Sequence, residues 1–375
     1  MSGGGVGTLR ISSAGKHAGS GVFGDTVLLG LPIVKRAVLA AERAGFERIV
    51  VEEAPGLDLP RLLAGTRAEI AKRSGPADDP GAGLLVRLGE NVLPQVGWLQ
   101  ELRHGAPIGP ESRGRFVIAS AADLPRAEDW LLAGLIKDTE GFMSRHVERR
   151  ISLAVSRRLA GTRVTPNTMT LVSVGVGLAG AALFLSARPG AAVAGALLVL
   201  LHSILDGCDG ELARLKFQES RFGGILDFWG DNAVHAALFG TIAVAWSRAS
   251  GSRAPLLLGA AAILGTILSA AFVSLHTMAQ VAEGPLFTSV SRSPDARFSR
   301  LADALARRDF LYLLVILAAL GKVHWFLVMA AVGSPIYFLL LLAIALAGRR
   351  GEAPAGDVAA GVAVRVNNSS GRSLR

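Results

Sequence analysis

The chain has 375 residues, 51% of them hydrophobic, with 45 glycines and a mean hydropathy of +0.44. That composition excludes an ordinary soluble protein and fits several membrane-spanning helices joined to a soluble part. The single cysteine, Cys208, excludes an internal disulfide. The net charge of +9 brings nucleic acid to mind, but the basic residues crowd beside the apolar spans. They lie in RHVERRISLAVSRRLAGTR and in a loop holding Arg292, Arg297, Arg300, Arg307 and Arg308, a juxtamembrane pattern suited to an anionic leaflet and to phosphate-bearing substrates.

At the N-terminus, MSGGGVGTLRISSAGK has no apolar core, so no cleaved signal is expected. Residues 1–125 read as a soluble α/β domain with a doubly wound sheet. LPIVKRAVLAAERAGF has helical periodicity and precedes the strand-like ERIVVEE; LLVRL and RFVIAS are further β-rich runs. PADDPGAG and GAPIGPESRG are loops by their Pro and Gly content. The segment GLPIVKRAVLAAERAGFERIVV resembles the second element of sugar-phosphate nucleotidyltransferases. The match is incomplete: LRISSAGKHAGSGVFGD lacks that family's basic Gly-rich pattern, and LLVRLGENVL offers Gly89, Glu90 and Asn91 where a metal-binding Asp is expected. Residues 1–125 are therefore expected to be a degenerate, nucleotidyltransferase-like domain.

Residues 126–165 form a connector. From Glu140 onward a basic amphipathic helix is expected on the membrane surface, with Phe142, Val147, Ile151, Val155 and Leu159 near one face and Arg145, Arg149, Arg150, Arg157 and Arg158 around the other. Thr165 and Pro166 then cap the first span. The sequence predicts six spans, at 167–187, 191–213, 223–247, 254–280, 302–320 and 324–347, within a helical bundle over 166–348 and ahead of a disordered tail at 349–375. Arginine and lysine fall mainly on one set of loops, so both termini and the acidic motif are expected in the cytoplasm, with the protein in the inner membrane.

The chemistry concentrates in LDGCDGELARLKFQESRFGGILDFWGD. Asp206, Asp209, Asp227 and Asp231 sit at the ends of two apolar segments, where a carboxylate is costly and points to function. At ~1.5 Å rise per residue, Asp206 lies about 22 Å along its span, and Asp227 and Asp231 lie one to two turns into the next. Asp206, Asp209, Gly210 and Ala213 share one stripe; Gly223, Asp227, Asp231 and His235 share another, and small residues on both let the helices approach. Converging carboxylates repel unless neutralised, and oxygen-only ligands select hard divalent cations such as Mg2+ or Mn2+, here two of them. Arg214 could add a forked donor for phosphate. Cys208 reads as a packing residue, and His202 and His235 either as partners of the acids or as histidines satisfied by a neighbouring helix.

This string, D206-GC-D209-G210-EL-A213-R214, eight residues, then G223-GIL-D227-FWG-D231, resembles the signature D-x2-D-G-x2-A-R-x8-G-x3-D-x3-D of the CDP-alcohol phosphatidyltransferase family. The resemblance implies a six-helix bundle and transfer of a substituted phosphate from a CDP-linked alcohol to an acceptor hydroxyl, releasing CMP. It assigns the metals to Asp206, Asp209 and Asp227, with Asp231 a further ligand or the general base. It places Gly210, Ala213, Arg214 and Gly223 against the CDP, with Asn167 and Thr170 of PNTMT beside the nucleotide. It also implies a homodimer, membrane-lipid partners, and an acceptor among small polar or phosphorylated alcohols, inositol phosphate in particular. Two other readings stay open: a bifunctional enzyme that also makes its CDP-alcohol from CTP in residues 1–125, and a non-enzymatic scaffold or transporter.

Overall fold

The computed structural model describes residues 7–12, 24–53, 56–72, 85–105, 114–136, 148–186, 188, 190–276 and 310–351. Strands β1 (Thr8–Ser12), β4 (Arg48–Glu52), β5 (Glu69–Ala71) and β6 (Leu85–Gly89) form a parallel sheet in the order β5-β4-β1-β6. The run IVV is apolar without alternation because both faces of a parallel sheet are covered, whereas LRI alternates around Arg10, which is buried 3.9 Å from Glu52. Helix α1 (Ile33–Ala44) buries Val34, Ala37, Val38 and Ala41 at helical spacing and stops at Gly45, whose φ of 82° a side chain would resist. With α3 (Val96–Arg103) it covers the sheet around Leu9, Ile11, Phe46 and Leu99. Strand order reverses beside β1 and β6, and there Gly89 ends β6 with Glu90 and Asn91 directly after it.

A smaller layer completes this region. The two-stranded pairs β2 (Val27–Leu28) with β3 (Leu31–Pro32) and β7 (Val92–Pro94) with β8 (Arg115–Val117) are antiparallel. They pack with α4 (Leu124–Ala133) around Leu28, Ile33, Leu93, Ile118 and Ala127. RFVIAS is thus a three-residue strand outside the main sheet. The expected boundary at residue 125 falls inside α4, whose Ala127 is fully buried against this layer. A short helix, α2 (Leu59–Leu62), lies between β4 and β5.

The surface helix α5 (Arg149–Ala160) is amphipathic in an unexpected sense. It buries Ser152, Ser156 and Ala160, while Ile151 is 44% exposed. A buried carboxylate opposite, described below, takes the two hydroxyl donors, and the apolar side chains divide: Ile151 faces outward, whereas Val155 and Leu159 pack toward Met169, Cys208 and Leu212, and Leu153 toward Leu132 and Leu215. Phe142 and Val147 lie outside the described residues.

Among the described residues, four helices are long and apolar enough to cross a membrane: α6 (Pro166–Leu183), α7 (Ala191–Lys216), α9 (Ala254–His276) and the helix from Val323 to Gly351. Between α7 and α9 runs α8 (Arg221–Ser250), long enough but more polar, and α10 (Phe310–Ala319) is apolar but shorter; the last helix is α11 (Val323–Gly351). The first helix thus ends earlier than expected, and α7 runs three residues further, to Lys216. The helix expected to end at residue 347 reaches Gly351. Arg292 to Asp309, the end of the fourth expected span and most of the tail lie outside the described residues. Leu29, Leu132, Ala160 and Leu215 share an apolar cluster where the α/β region meets α5 and α7.

Candidate functional site

The site is assembled where α6, α7 and α8 cross. At the start of α6, the Thr165 hydroxyl accepts from the backbone N–H of Thr168 at 3.2 Å, with Pro166 in the first turn. Farther along, a Cβ on Gly180 would stand 2.8 Å from the backbone oxygen of Gly195 in α7, and one on Gly177 2.7 Å from Val234 in α8 and 2.9 Å from His202. The glycines therefore set interhelical distances that no other residue permits.

Asp206 of α7 and Asp227 and Asp231 of α8 converge there. One carboxylate oxygen from each lies within 4.8 Å of the others. Asp206 is buried, and Oδ1 of Asp227 is buried with no hydrogen bond. Three carboxylates at that separation in a sequestered site repel strongly, and a divalent cation relieves the repulsion while filling the empty coordination of Asp227. The oxygen-only donor set fits a hard cation of the Mg2+ or Mn2+ kind.

The fourth acid is held apart from that group. Asp209 is buried, and its carboxylate accepts from the Thr170 hydroxyl and from the Gly210 backbone N–H. Thr170 ties α6 to α7 through this bond. The Arg214 guanidinium folds back over Gly210, with Nη1 3.4 Å from where a Cβ would stand, and Ala213 is half-buried on the same helix. At the start of α8, the Ser220 hydroxyl accepts from the Gly223 N–H at 3.0 Å. A Cβ on Gly223 would meet Asn167 Oδ1 at 2.9 Å, so the two helix starts nearly touch. His202 is buried, with Nε2 3.4 Å from Asp231 Oδ1. His235 packs against the rings of Phe239 and Phe310, with centroids 6.3 and 5.8 Å apart.

Sequence reasoning missed Glu211. It is fully buried on α7, two residues past Asp209, and accepts hydrogen bonds from Arg149 Nη1, Ser152 Oγ and Ser156 Oγ, each at 2.6 Å. Cys208 lies beside it, with Sγ 3.5 Å from the Ser152 carbonyl. The signal was present as a Ser-x3-Ser pair on α5, which places two hydroxyls on one helical face.

Comparison with known proteins gives this geometry a context. Residues 163–292 match the family model for CDP-alcohol phosphatidyltransferase. A bifunctional IPC transferase and DIPP synthase from Thermococcus kodakarensis is 40% identical over 124 residues, 33% of this chain and 28% of that protein. The enzyme of the same name from Rubrobacter xylanophilus is 32% identical over 181 residues, 48% of this chain and 40% of that protein. A phosphatidylinositol phosphate synthase from Corynebacterium glutamicum is 35% identical over 115 residues, 31% of this chain and 51% of that one. The chain thus spans well under half the length of the bifunctional relatives it matches. The crystal structure of Mycobacterium tuberculosis phosphatidylinositol phosphate synthase in complex with manganese and citrate aligns at 20% identity and a TM-score of 0.39, covering 52% of this chain and 88% of that one.

Proposed function

From the match of residues 163–292 to the CDP-alcohol phosphatidyltransferase family model, we propose that this protein transfers a substituted phosphate from a CDP-linked alcohol to the hydroxyl of an acceptor alcohol, releasing CMP. The carrying observation is the convergence of Asp206, Asp227 and Asp231 from two helices, with their oxygens within 4.8 Å. When bound there, a pair of divalent cations would supply Lewis-acid stabilisation of the pyrophosphate and of the CMP leaving group. Asp206 and Asp227 are the residues to hold them, and Asp209, one turn along α7, completes the set after exchanging its bond to Thr170.

The acceptor hydroxyl forms a bond to phosphorus as the pyrophosphate P–O bond on the CMP side breaks, and its proton passes to the Asp231 carboxylate. His202 Nε2, 3.4 Å away, orients that carboxylate. Gly210 leaves room for the nucleotide, Arg214 reaches its phosphates from Gly210 and Ala213, and Asn167 and Gly223 line the gap between the starts of α6 and α8. Positioning and charge, rather than covalent chemistry, do most of the work.

In this reading α6 to α11 are six spans, with the acids and both termini on the cytoplasmic side of the inner membrane. The α/β region extends through α4 rather than stopping at 125. The relatives named bifunctional favour a second reading, in which the α/β region also makes the CDP-alcohol, although Glu90 and Asn91 stand where that chemistry would want an Asp. Purified protein with CDP-diacylglycerol or CDP-inositol, Mg2+ or Mn2+ and a panel of alcohols should release CMP, followed by mass. No CMP with any donor would remove the proposal, and CDP-alcohol formed from CTP would establish the second activity.

A further inference from the structure

The link between the two acid-bearing helices is gripped by the α/β region. Helix α7 ends at Lys216, Phe217 turns the chain at a φ of 55°, and α8 begins at Arg221. A helix C-terminus leaves its last carbonyls without intrahelical donors. Arg36 of α1, only 3% exposed, supplies one: Nη1 donates to the Leu215 carbonyl at 2.9 Å. Its Nη2 donates to the carbonyls of Leu28 and Leu29 at 2.9 and 3.3 Å, tying the same guanidinium to the β2–β3 turn. The guanidinium also stands 5.9 Å from the centroid of the Phe217 ring, which packs against the core of the α/β region. Two turns along α1, Arg43 pairs with Glu219 and donates to the Phe217 carbonyl at 3.4 Å. Burial pulls the Arg36 pKa down to about 10, which leaves it charged at neutral pH and opposed to the negative end of α7.

We propose that Arg36 is a positioning residue for the carboxylate centre: through Leu215 and Phe217 the α/β region fixes the angle between α7 and α8, and with it the gap between Asp206 and the pair Asp227 and Asp231. This rests on the reading of those acids as cation ligands. Leu215 lies nine residues beyond Asp206 on one helix, about 14 Å along its axis. A tilt of about 5° at that end moves Asp206 by about 1 Å, several times the roughly 0.2 Å tolerance of a metal–oxygen distance. The α/β region is therefore part of the site's frame, whatever chemistry of its own it carries.

The test is Mn2+ affinity of the full chain in detergent, from the electron paramagnetic resonance signal of free ion, with CMP release in parallel. Arg36→Met should weaken Mn2+ binding about tenfold, and Arg36→Lys, which keeps the charge and one donor, should recover part of it. Leu88→Ala, a core substitution in the same region that leaves Arg36 in place, should lower Tm while retaining wild-type Mn2+ affinity. Unchanged affinity in Arg36→Met overturns the inference, as does an equal loss in Leu88→Ala, which would make the effect one of general destabilisation. Should Arg36→Met not fold, the exposed Arg43→Glu sets a like charge against Glu219; threefold weaker binding supports the coupling and no change refutes it. A wild type that binds Mn2+ without releasing CMP strikes the proposed reaction alone, whereas affinity unmoved by every Arg36 variant strikes the coupling alone.

Discussion

The two halves of the molecule differ in what they expose and in what they bury beside an apolar core. In the α/β region the buried side chains are Leu9, Ile11, Val38, Ile49 and Leu99, as burial of apolar area from water requires. In the helical part Ser156, Thr170, His202, Asp206 and Glu211 are buried, while Leu171, Leu197, Leu257, Leu275 and Leu339 face outward. Lipid removes the cost of an outward leucine, so helices associate through small residues and internal hydrogen bonds instead. The lesson is that a polar group buried in the helical half has to be satisfied by a named partner, and a group that is not satisfied marks the chemistry.

Asp227 is the sharpest case and carries the largest expected effect. Its Oδ1 is buried with no hydrogen bond, beside Asp206 and Asp231. Asp227→Asn takes one of three crowded acids out of the cluster and relieves the repulsion among them, so the metal-free protein should melt at a higher temperature than wild type. The same change should cut CMP release by about four orders of magnitude, about 5 kcal/mol of barrier at 1.36 kcal/mol per decade. It should also abolish the rise in Tm that Mn2+ gives the wild type, since only binding to the folded state stabilises. Turnover near the wild-type rate would remove Asp227 from the site.

A reciprocal pair of substitutions tests that difference directly. Leu99, fully buried in α3, should cost about 2–5 kcal/mol of stability when cut to Ala, the ordinary result for an aqueous core. In the helical half the equivalent damage comes from making the interior more apolar. Glu211→Leu strips the partner from Arg149, Ser152 and Ser156 and should cost about 3 kcal/mol. Because Cys208 is the only thiol in the chain and is buried under α5, maleimide labelling of intact protein reads α5 undocking directly. Glu211→Leu should label much faster than wild type and Leu99→Ala should not; equal rates would mean that α5 is held by something else.

Legibility in the sequence follows the same division. The acids could be read because fixed spacing on a 3.6-residue period decides which face a residue occupies, and three of the four do meet. Periodicity does not decide rotamers, which is why Asp209 turns to Thr170 instead. The first strand, TLRIS, went unread since an alternation of only five residues, set in a Gly- and Ser-rich stretch, carries little signal. On α5 the expected apolar face holds for Val155 and Leu159, which pack inward, but Ser152 and Ser156 share the buried side and Ile151 does not, because that helix packs on a carboxylate. Arg36 was invisible for a different reason: its partner Leu215 is 179 residues away, and one chain without a structure holds no information on which of 39 Lys and Arg residues a distant helix end will meet.

The smallest expected effect lies on the seam between the halves. Arg157 of α5 bridges Glu128 at 2.7 Å and Asp129 at 2.9 Å on α4. Its pKa is held above the ordinary guanidinium value, first by the hydrogen bond to Glu128. A cation with a raised pKa contributes in full at neutral pH and loses that contribution only as alkaline pH passes through the raised value, so salt is the useful probe. The group is largely exposed, and ion pairs in water are worth about 0–1 kcal/mol after screening. Arg157→Ala should therefore shift Tm by only a few degrees at low salt and by less at 1 M, where the Debye length is about 3 Å. A shift as large as that of Glu211→Leu, or one that salt leaves unchanged, would mean the seam between α4 and α5 is shielded from water and belongs to the buried polar interior instead.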